Sequence, residues 1–322
     1  MILAALDLGS NSFHVLVCRV ERNGTLTKLG SRKATLRLGA VVRSEGRLPD
    51  DVFARAVDAA GELVAYARSL GATRVTAVGT SALRDASNGV TFGHALHLRA
   101  SVSVEIVSGD DEGRLVYLGA RHGIAPPSGS VGVVDIGGGS VEVALGHGAH
   151  CRRVASLPLG FLRFPRAPGV GGDFDADEIA AHVASVAGPL AEQIRRAPPD
   201  SWLFSGGTAR AFRGAARELL PLVREELDRF DVDRVARELL AADRDRLARL
   251  GVDEARRGTI GCGAFTLALL TRLFGARAIR VVPGGLREGV LLRELARSAD
   301  RESSPIGSRP QRTSLRLVGA AD

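Results

Sequence analysis

Apolar residues in this chain come in short runs that end on glycine-rich turns, and one such pattern occurs twice. Leu6-Asp7-Leu8-Gly9-Ser10-Asn11-Ser12-Phe13 and Val134-Asp135-Ile136-Gly137-Gly138-Gly139-Ser140-Val141 share the form Asp-apolar-Gly-x-x-Ser-apolar, flanked on both sides by strand-like runs. In each copy the glycines join one β run to a second, over 14–20 and 142–145, so the unit reads strand, tight turn, strand. A repeat of this kind predicts two related half-molecules.

Further β-type residues continue to about position 38. A helix is predicted over 50–70, opened by Pro49 and closed by Gly71. A strand over 74–78, a helical stretch over 88–99, a strand over 102–107 and a helix over 110–121 follow. Gly123-Ile124-Ala125-Pro126-Pro127-Ser128-Gly129 is rich in chain breakers and reads as a linker. The second half repeats the order, with strands over 131–157, a helix over 177–196 and a strand over 202–204. Helices over 225–250 and 254–274, a short strand over 278–282 and a helix over 286–297 complete it. The expected organisation is a domain over 1–124, a second over 125–297, and a polar, aperiodic tail over 298–322 expected to be largely disordered.

Composition fits a chain of 322 residues with two ordinary cores. The three cysteines, Cys18, Cys151 and Cys262, have no CxxC or CxxH spacing, which argues against a disulfide framework or a structural zinc site and suits a reducing compartment. The N-terminal run lacks a basic region and meets Asp7 too early for a secretory leader, so a cytoplasmic protein is expected. The longest uncharged apolar run, 258–271, is too short to span a bilayer, and no membrane association is expected. A formal charge of +7 favours a polyanionic partner. Lys28 and Lys33 are the only lysines; arginine, which makes up the rest, has a planar fork suited to phosphate.

Glycine-rich turns let backbone N–H groups converge on an anion. Gly137-Gly138-Gly139-Ser140 is one such loop, although a plain hairpin turn would explain it in isolation. Gly9-Ser10-Asn11-Ser12, Ser205-Gly206-Gly207-Thr208 and Pro283-Gly284-Gly285 are three more, each at a strand end where α/β folds place ligands. A dinucleotide fingerprint is rejected because the glycines lead into a strand, and a Walker A loop because no lysine follows them. Asp135 enters the Gly137 loop and Glu142 leaves it, and Ser140 and Glu142 share a strand face. Paired carboxylates beside a phosphate nest are what Mg²⁺ takes, along with waters and phosphate oxygens. Asp7 has the equivalent place in the first copy. Ser108-Gly109-Asp110-Asp111-Glu112 reads locally as a capped acidic helix start, and Arg84 ends the Thr80-Ser81-Ala82-Leu83-Arg84 run as either a surface residue or a phosphate ligand. The His94/His97 and His147/His150 pairs lack metal-ligand company. No Ser-His-Asp or Cys-His set stands out, so water is the expected nucleophile.

Five runs in order resemble the exopolyphosphatase/guanosine pentaphosphatase family: 5–14, 108–115, 134–142, Ser205-Gly206-Gly207-Thr208-Ala209-Arg210, and Pro283-Gly284-Gly285-Leu286-Arg287-Glu288-Gly289. Together they span 1 to about 297. The resemblance implies an α/β fold of two actin-like, ribonuclease-H-like domains of the ASKHA superfamily around an interdomain cleft, in agreement with the internal repeat. Carried over by position, it implies Glu112 as general base, Asp135 and Glu142 as Mg²⁺ ligands, and a cradle of Gly137, Gly138, Gly139 and Ser140 for the terminal phosphate. Asn11, Ser12, Arg84, Gly206, Gly207 and Thr208 would line the remainder. Departures exist: Asp110-Asp111 precede Glu112 where relatives more often have glutamate, and 254–259 matches only loosely, which leaves Arg256 in doubt. Longer members carry a C-terminal HD-type domain with no counterpart in these residues, an expectation of shorter substrates.

The expected activity is Mg²⁺-dependent release of terminal phosphate from inorganic polyphosphate, without specific nucleic acid, in a monomer or the homodimer the family would allow. Two alternatives stay open, hydrolysis of guanosine pentaphosphate and a non-catalytic regulator that binds polyphosphate or an alarmone. A sugar kinase or chaperone ATPase of the superfamily is disfavoured because those chains are usually longer.

Overall fold

The computed structural model describes residues 1–21, 24–122, 124, 129–164, 175–222 and 224–303, the last five as backbone only. The expected linker falls mostly outside this set, as do residues 304–322 of the expected tail, whereas 298–303, expected to be aperiodic, continue the last helix.

Three strands open the chain, β1 (Ile2–Leu8), β2 (Ser12–Val20) and β3 (Leu26–Thr35), followed by helices α1 (Leu38–Glu45) and α2 (Asp50–Ser69). Strand β4 (Arg74–Gly79), helices α3 (Ser81–Asp85) and α4 (Gly89–Ala100), strand β5 (Val104–Ile106) and helix α5 (Gly109–Arg121) come next. The second half runs β6 (Ser130–Ile136), β7 (Val141–His147), β8 (His150–Leu157), α6 (Ala176–Arg196), β9 (Ser201–Ser205) and α7 (Gly206–Leu219). It continues with β10 (Glu226–Asp228), α8 (Arg229–Ala241), α9 (Arg244–Arg249), α10 (Glu254–Arg257), α11 (Ile260–Leu273), β11 (Ala278–Val281) and α12 (Leu286–Ser303).

The repeat is structural. One sheet has the order β3-β2-β1-β4-β5, and the other, read from its far edge, β8-β7-β6-β9-β11-β10. In both, the first strand pairs antiparallel with its hairpin partner on one side and parallel with a later strand on the other. Strands β1 and β6 have the same burial pattern, closed on both faces as central strands are. The two-lobed α/β architecture expected from the repeat is therefore the one the chain adopts.

Each sheet buries its own cluster, with Leu6, Phe13, Leu63 and Phe92 in one and Val134, Phe204, Phe212 and Leu267 in the other. Helix α5 lies between them. Its Leu115 packs toward Leu3, Ala5 and Val78 of the first sheet, while Val116, Tyr117 and Ala120 pack toward Val131, Val133 and Ala144 of the second. Helix α12 returns from the second sheet to pack on α5 and β1, contributing Val290 and Leu291. Burial on both sides makes α5 a fixed strut, and it carries Glu112 in its first turn.

Several expectations need adjustment. The helix expected over 225–250 is β10, α8 and α9, because the Asp228 and Asp243 carboxylates each cap a new start, accepting from Phe230 and Asp231 N–H and from Arg246 N–H respectively. The 254–274 helix breaks at Gly258 into α10 and α11. The Gly9 and Gly137 loops lead into strands as expected, whereas the Gly206 and Gly284 loops open helices α7 and α12. Among the described residues no helix is long and apolar enough to cross a membrane, and Cys18, Cys151 and Cys262 form no disulfide.

Candidate active site

The four glycine loops converge on one cleft between the two sheets. Antiparallel pairing sets its floor. Asp135 lies directly opposite Glu142, and Asp7 directly opposite His14. Directly opposed residues put their side chains on one face about 5 Å apart, so the second copy presents two neighbouring carboxylates where the first presents a carboxylate and an imidazole. The turn between them is closed by Gly137 N–H donating to Ser140 O at 3.0 Å.

Of the residues expected here, Asn11, Ser12, Glu112, Asp135, Gly137, Gly138, Gly139, Ser140, Glu142, Gly206, Gly207 and Thr208 all line the cleft, as does Asp7. Arg84 does not. It sits in an adjoining pocket that shares Ser81 and Ser140 with the cleft, and its guanidinium reaches inward to Glu112. Arg256, left in doubt by its sequence context, also lines the cleft, together with His14, Arg210, Arg287 and Glu288. These last four were missed. Arg210, Arg287 and Glu288 belong to the family-like runs, and superposing the two sequence repeats would have aligned His14 with Glu142.

Local structure explains the placement. Glu112 stands in the first turn of α5, whose start is fixed by the Ser108 hydroxyl accepting from Asp111 N–H at 3.1 Å. Gly206, the first residue of α7 directly after β9, has φ of 81° and packs against the Asp135 carboxylate, a conformation and an approach that only glycine combines. Thr208 donates to Ile136 O at 2.9 Å, tying this loop to the end of β6.

Electrostatically the cleft holds acids under strain. Burial raises Glu142 to about 7 despite hydrogen bonds from Ser140 and Ser156, the Ser156 Oγ lying 2.9 Å from Oε1. Burial likewise raises Asp7 to about 7, with Arg287 opposing and Asp135 adding to the rise. Asp135 is raised by burial and restrained by Ser205, which donates to Oδ2 at 3.0 Å. Glu112 is raised well above the usual range by burial first and then by Glu142, with Arg84 pulling it back. Opposite lie cations. Burial and the charges of Arg287, Arg256, Lys33 and Arg210 push His14 down to about 3, so its neutral ring offers Nδ1 to Arg287 Nη1 at 3.4 Å.

Among the described residues no group of three or more His, Cys, Asp or Glu side chains is arranged to enclose a metal ion. The donor set nevertheless fits Mg²⁺, which needs only one or two carboxylates beside waters and phosphate oxygens. Desolvated carboxylates that raise one another's proton affinity are relieved by a divalent cation. The Asn11 Oδ1, buried without a hydrogen-bond partner, is a further free acceptor in the cleft. Acids on one side, guanidinium groups on the other and glycine turns between them suit a phosphorylated, strongly anionic molecule.

The chain resembles known proteins along most of its length. The model of the Ppx/GppA phosphatase family matches residues 16–298. The chain is 31% identical to exopolyphosphatase 1 of Mycobacterium tuberculosis and of Mycobacterium bovis, over 99% of this chain and 95% of each of those proteins. A Ppx/GppA family member from Aquifex aeolicus superposes with a TM-score of 0.75 at 26% identity, over 92% of this chain and 98% of that one. An exopolyphosphatase from Cytophaga hutchinsonii shares the fold, with a TM-score of 0.80 at 22% identity, over 92% and 98%. Matched along nearly its whole length in sequence and in fold, the chain belongs to the Ppx/GppA phosphatase family.

Proposed function

We propose that this chain is a cytoplasmic, Mg²⁺-dependent exopolyphosphatase that removes terminal phosphate from inorganic polyphosphate. The observation that carries the reading is the meeting of Glu112, Asp135 and Glu142 with the Gly9 and Gly137 turns in a single cleft. Likeness to mycobacterial exopolyphosphatases over nearly the full chain supports the substrate class.

In this reading the turn of Gly137, Gly138, Gly139 and Ser140 cradles the terminal phosphoryl group, Gly137 closing the turn while Gly138, Gly139 and Ser140 donate, and Asn11, Ser12, Gly206, Gly207 and Thr208 hold the phosphates behind it. Asp135 and Glu142, with Asp7 beside them, would hold Mg²⁺, which when bound neutralises phosphate charge. Glu112 accepts a proton from the attacking water as the new P–O bond forms and the bridging P–O bond breaks. The shortened polyphosphate leaves with the bond electrons, its negative charge facing Arg210, Arg256 and Arg287. Phosphoryl transfer of this kind is mostly positioning and charge neutralisation. Arg84 serves by favouring the ionised form of the buried Glu112 against burial and Glu142, since a protonated carboxyl cannot act as base.

Phosphate release with Mg²⁺ from long polyphosphate, short polyphosphate and guanosine pentaphosphate, measured side by side, tests the reading. Preferential release from polyphosphate is expected. Release from the nucleotide alone would replace it with the pentaphosphatase reading, and binding without release would make the protein a sensor.

A further inference from the structure

A second groove leads out of the cleft beside the β2–β3 hairpin. It shares His14, Arg210, Arg256 and Arg287 with the cleft, and its outer wall carries Lys28, Ser31 and Lys33 of β3. These two lysines are the only ones in the chain. Five positions apart, they would point to opposite faces of an unbroken strand, because side chains alternate. The ladder instead shifts register at Leu29: Val17 pairs with Gly30 while Cys18 pairs with Lys28. One residue is thus left over as a β-bulge, and the faces are reset. Lys28 then stands opposite Cys18, Ser31 opposite Leu16 and Lys33 opposite His14, so both lysines share the face that His14 turns to the cleft. Arg32, between them, stacks its guanidinium on the Tyr66 ring at 4.2 Å.

The row runs away from the reaction centre. Four residues separate His14 from Cys18, about 14 Å of strand, well beyond the space of one terminal phosphate. Few acids oppose it. Glu288 accepts from Gly285 N–H at 2.9 Å, and Asp253, 71% exposed, lies 3.7 Å from Lys33, an exposed pair that a polyanion displaces at little cost. Lysine also suits the task chemically. Its ammonium is a point charge on a flexible stem, whereas an arginine fork holds a phosphate in fixed geometry. A chain that must advance by one phosphate per turnover needs the former along its path.

We propose that this groove is the track for the polymer behind the terminal phosphate, and that Lys28 and Lys33 set how tightly longer chains are held relative to short ones. The proposal rests on the polyphosphate reading above. Its test compares wild type, Lys28→Gln/Lys33→Gln and Lys28→Arg/Lys33→Arg for KM on long polyphosphate, on tripolyphosphate and on guanosine pentaphosphate. Binding of long polyphosphate across a NaCl series is measured in parallel in an E112Q background, and thermal melting checks that the surface exchanges leave the fold intact. In the glutamine variant, KM for the long chain rises about five- to tenfold relative to that for tripolyphosphate. The slope of log Kd against log salt flattens by about 1 per lysine, as for other polyanion contacts. The arginine variant retains the wild-type salt slope. An unchanged KM ratio and salt slope in a protein that still hydrolyses polyphosphate overturns the track and leaves the activity standing. An equal rise in KM for guanosine pentaphosphate also overturns it, by making the groove a nucleotide subsite. Wild-type protein that releases phosphate from polyphosphate of no length removes the underlying reading and the track with it.

Discussion

Arg84 Nη1 lies 3.0 Å from Glu112 Oε2 and 2.9 Å from Val107 O, so one guanidinium joins the proposed base to the chain segment that leads into α5. Glu112 is buried, and its proton affinity is raised by burial and by Glu142; Arg84 is the neighbour that lowers it. The pair is therefore more than an ion bridge, because it governs the pH at which the carboxylate is available.

Arg84→Ala should cut kcat and move the acidic limb of the kcat/KM profile to higher pH, since loss of the cation leaves Glu112 harder to ionise. Arg84→Lys should restore part of the shift. A pH–rate profile reads this directly; an acidic limb left in place by Arg84→Ala would contradict the role.

The hydroxyls behind the carboxylates should matter for metal. Ser205 donates to Asp135 and Ser156 to Glu142, and removing such orienting partners typically weakens metal binding about 10- to 100-fold. Ser205→Ala and Ser156→Ala are each expected to raise the Mg²⁺ concentration for half-maximal activity by about tenfold. Asp135→Ala and Glu142→Ala should raise it further. A Mg²⁺ titration that is unchanged in the aspartate and glutamate variants would remove both from the metal site.

Metal-free protein should lose stability as pH rises. Asp7 and Glu142, pushed up mainly by burial from 3.8 and 4.5 to about 7, bind protons more tightly in the folded than in the unfolded chain. Their protonated folded form is favoured at pH below about 4, and stability falls as pH climbs from there through about 7. Together the two carboxyls contribute on the order of several kcal/mol across that window. His14, pushed to about 3, gives an opposite trend below its ordinary 6.5. Melting in chelator across this range, compared between wild type and Asp7→Asn/Glu142→Gln, isolates the carboxyls. The wild type should show the steeper decline with pH, and saturating Mg²⁺ should flatten it. Parallel curves would contradict the buried-acid account.

The crossing of α5 and α12 should be intolerant of bulk. A Cβ on Gly119 would fall against Gly285 O and 2.6 Å from Gly289 N. Gly119→Ala should therefore destabilise by about 1–3 kcal/mol, and it should lower activity because these helices carry Glu112 and Arg287. Gly214 in α7 is exposed, has nothing within 4 Å of such a Cβ and is not followed by proline, and Gly214→Ala should instead stabilise by up to about 1 kcal/mol. Paired thermal melts distinguish the two, and equal effects would contradict the packing argument.

Local sequence carried the strand–turn–strand repeat because glycine, alternation and the leading aspartate all lie within a dozen positions. It carried the start of α5 for a similar reason, since Ser108 and its acids announce a helix terminus. Helix α1 was not legible: its first residue follows Arg37 in a left-handed conformation, with no side-chain cap and no acid in the first turn. Strand β10 is three residues on a sheet edge, too short for alternation to register. The cationic side of the cleft was the main omission. His14 and Arg287 meet across 273 positions, and only the closing of α12 onto the first sheet brings them together, which no local pattern encodes. Arg84 was assigned to the cleft itself, but its reach to Val107 and Glu112 keeps it one layer behind.

The central claim is that Glu112 takes the proton of the attacking water, and Glu112→Gln tests it with nearly no change in shape. Phosphate release from polyphosphate with saturating Mg²⁺ should fall about 10²- to 10⁴-fold, while polyphosphate affinity, measured by direct binding, stays close to that of the wild type. Retention of most of the wild-type turnover in that variant would contradict the account.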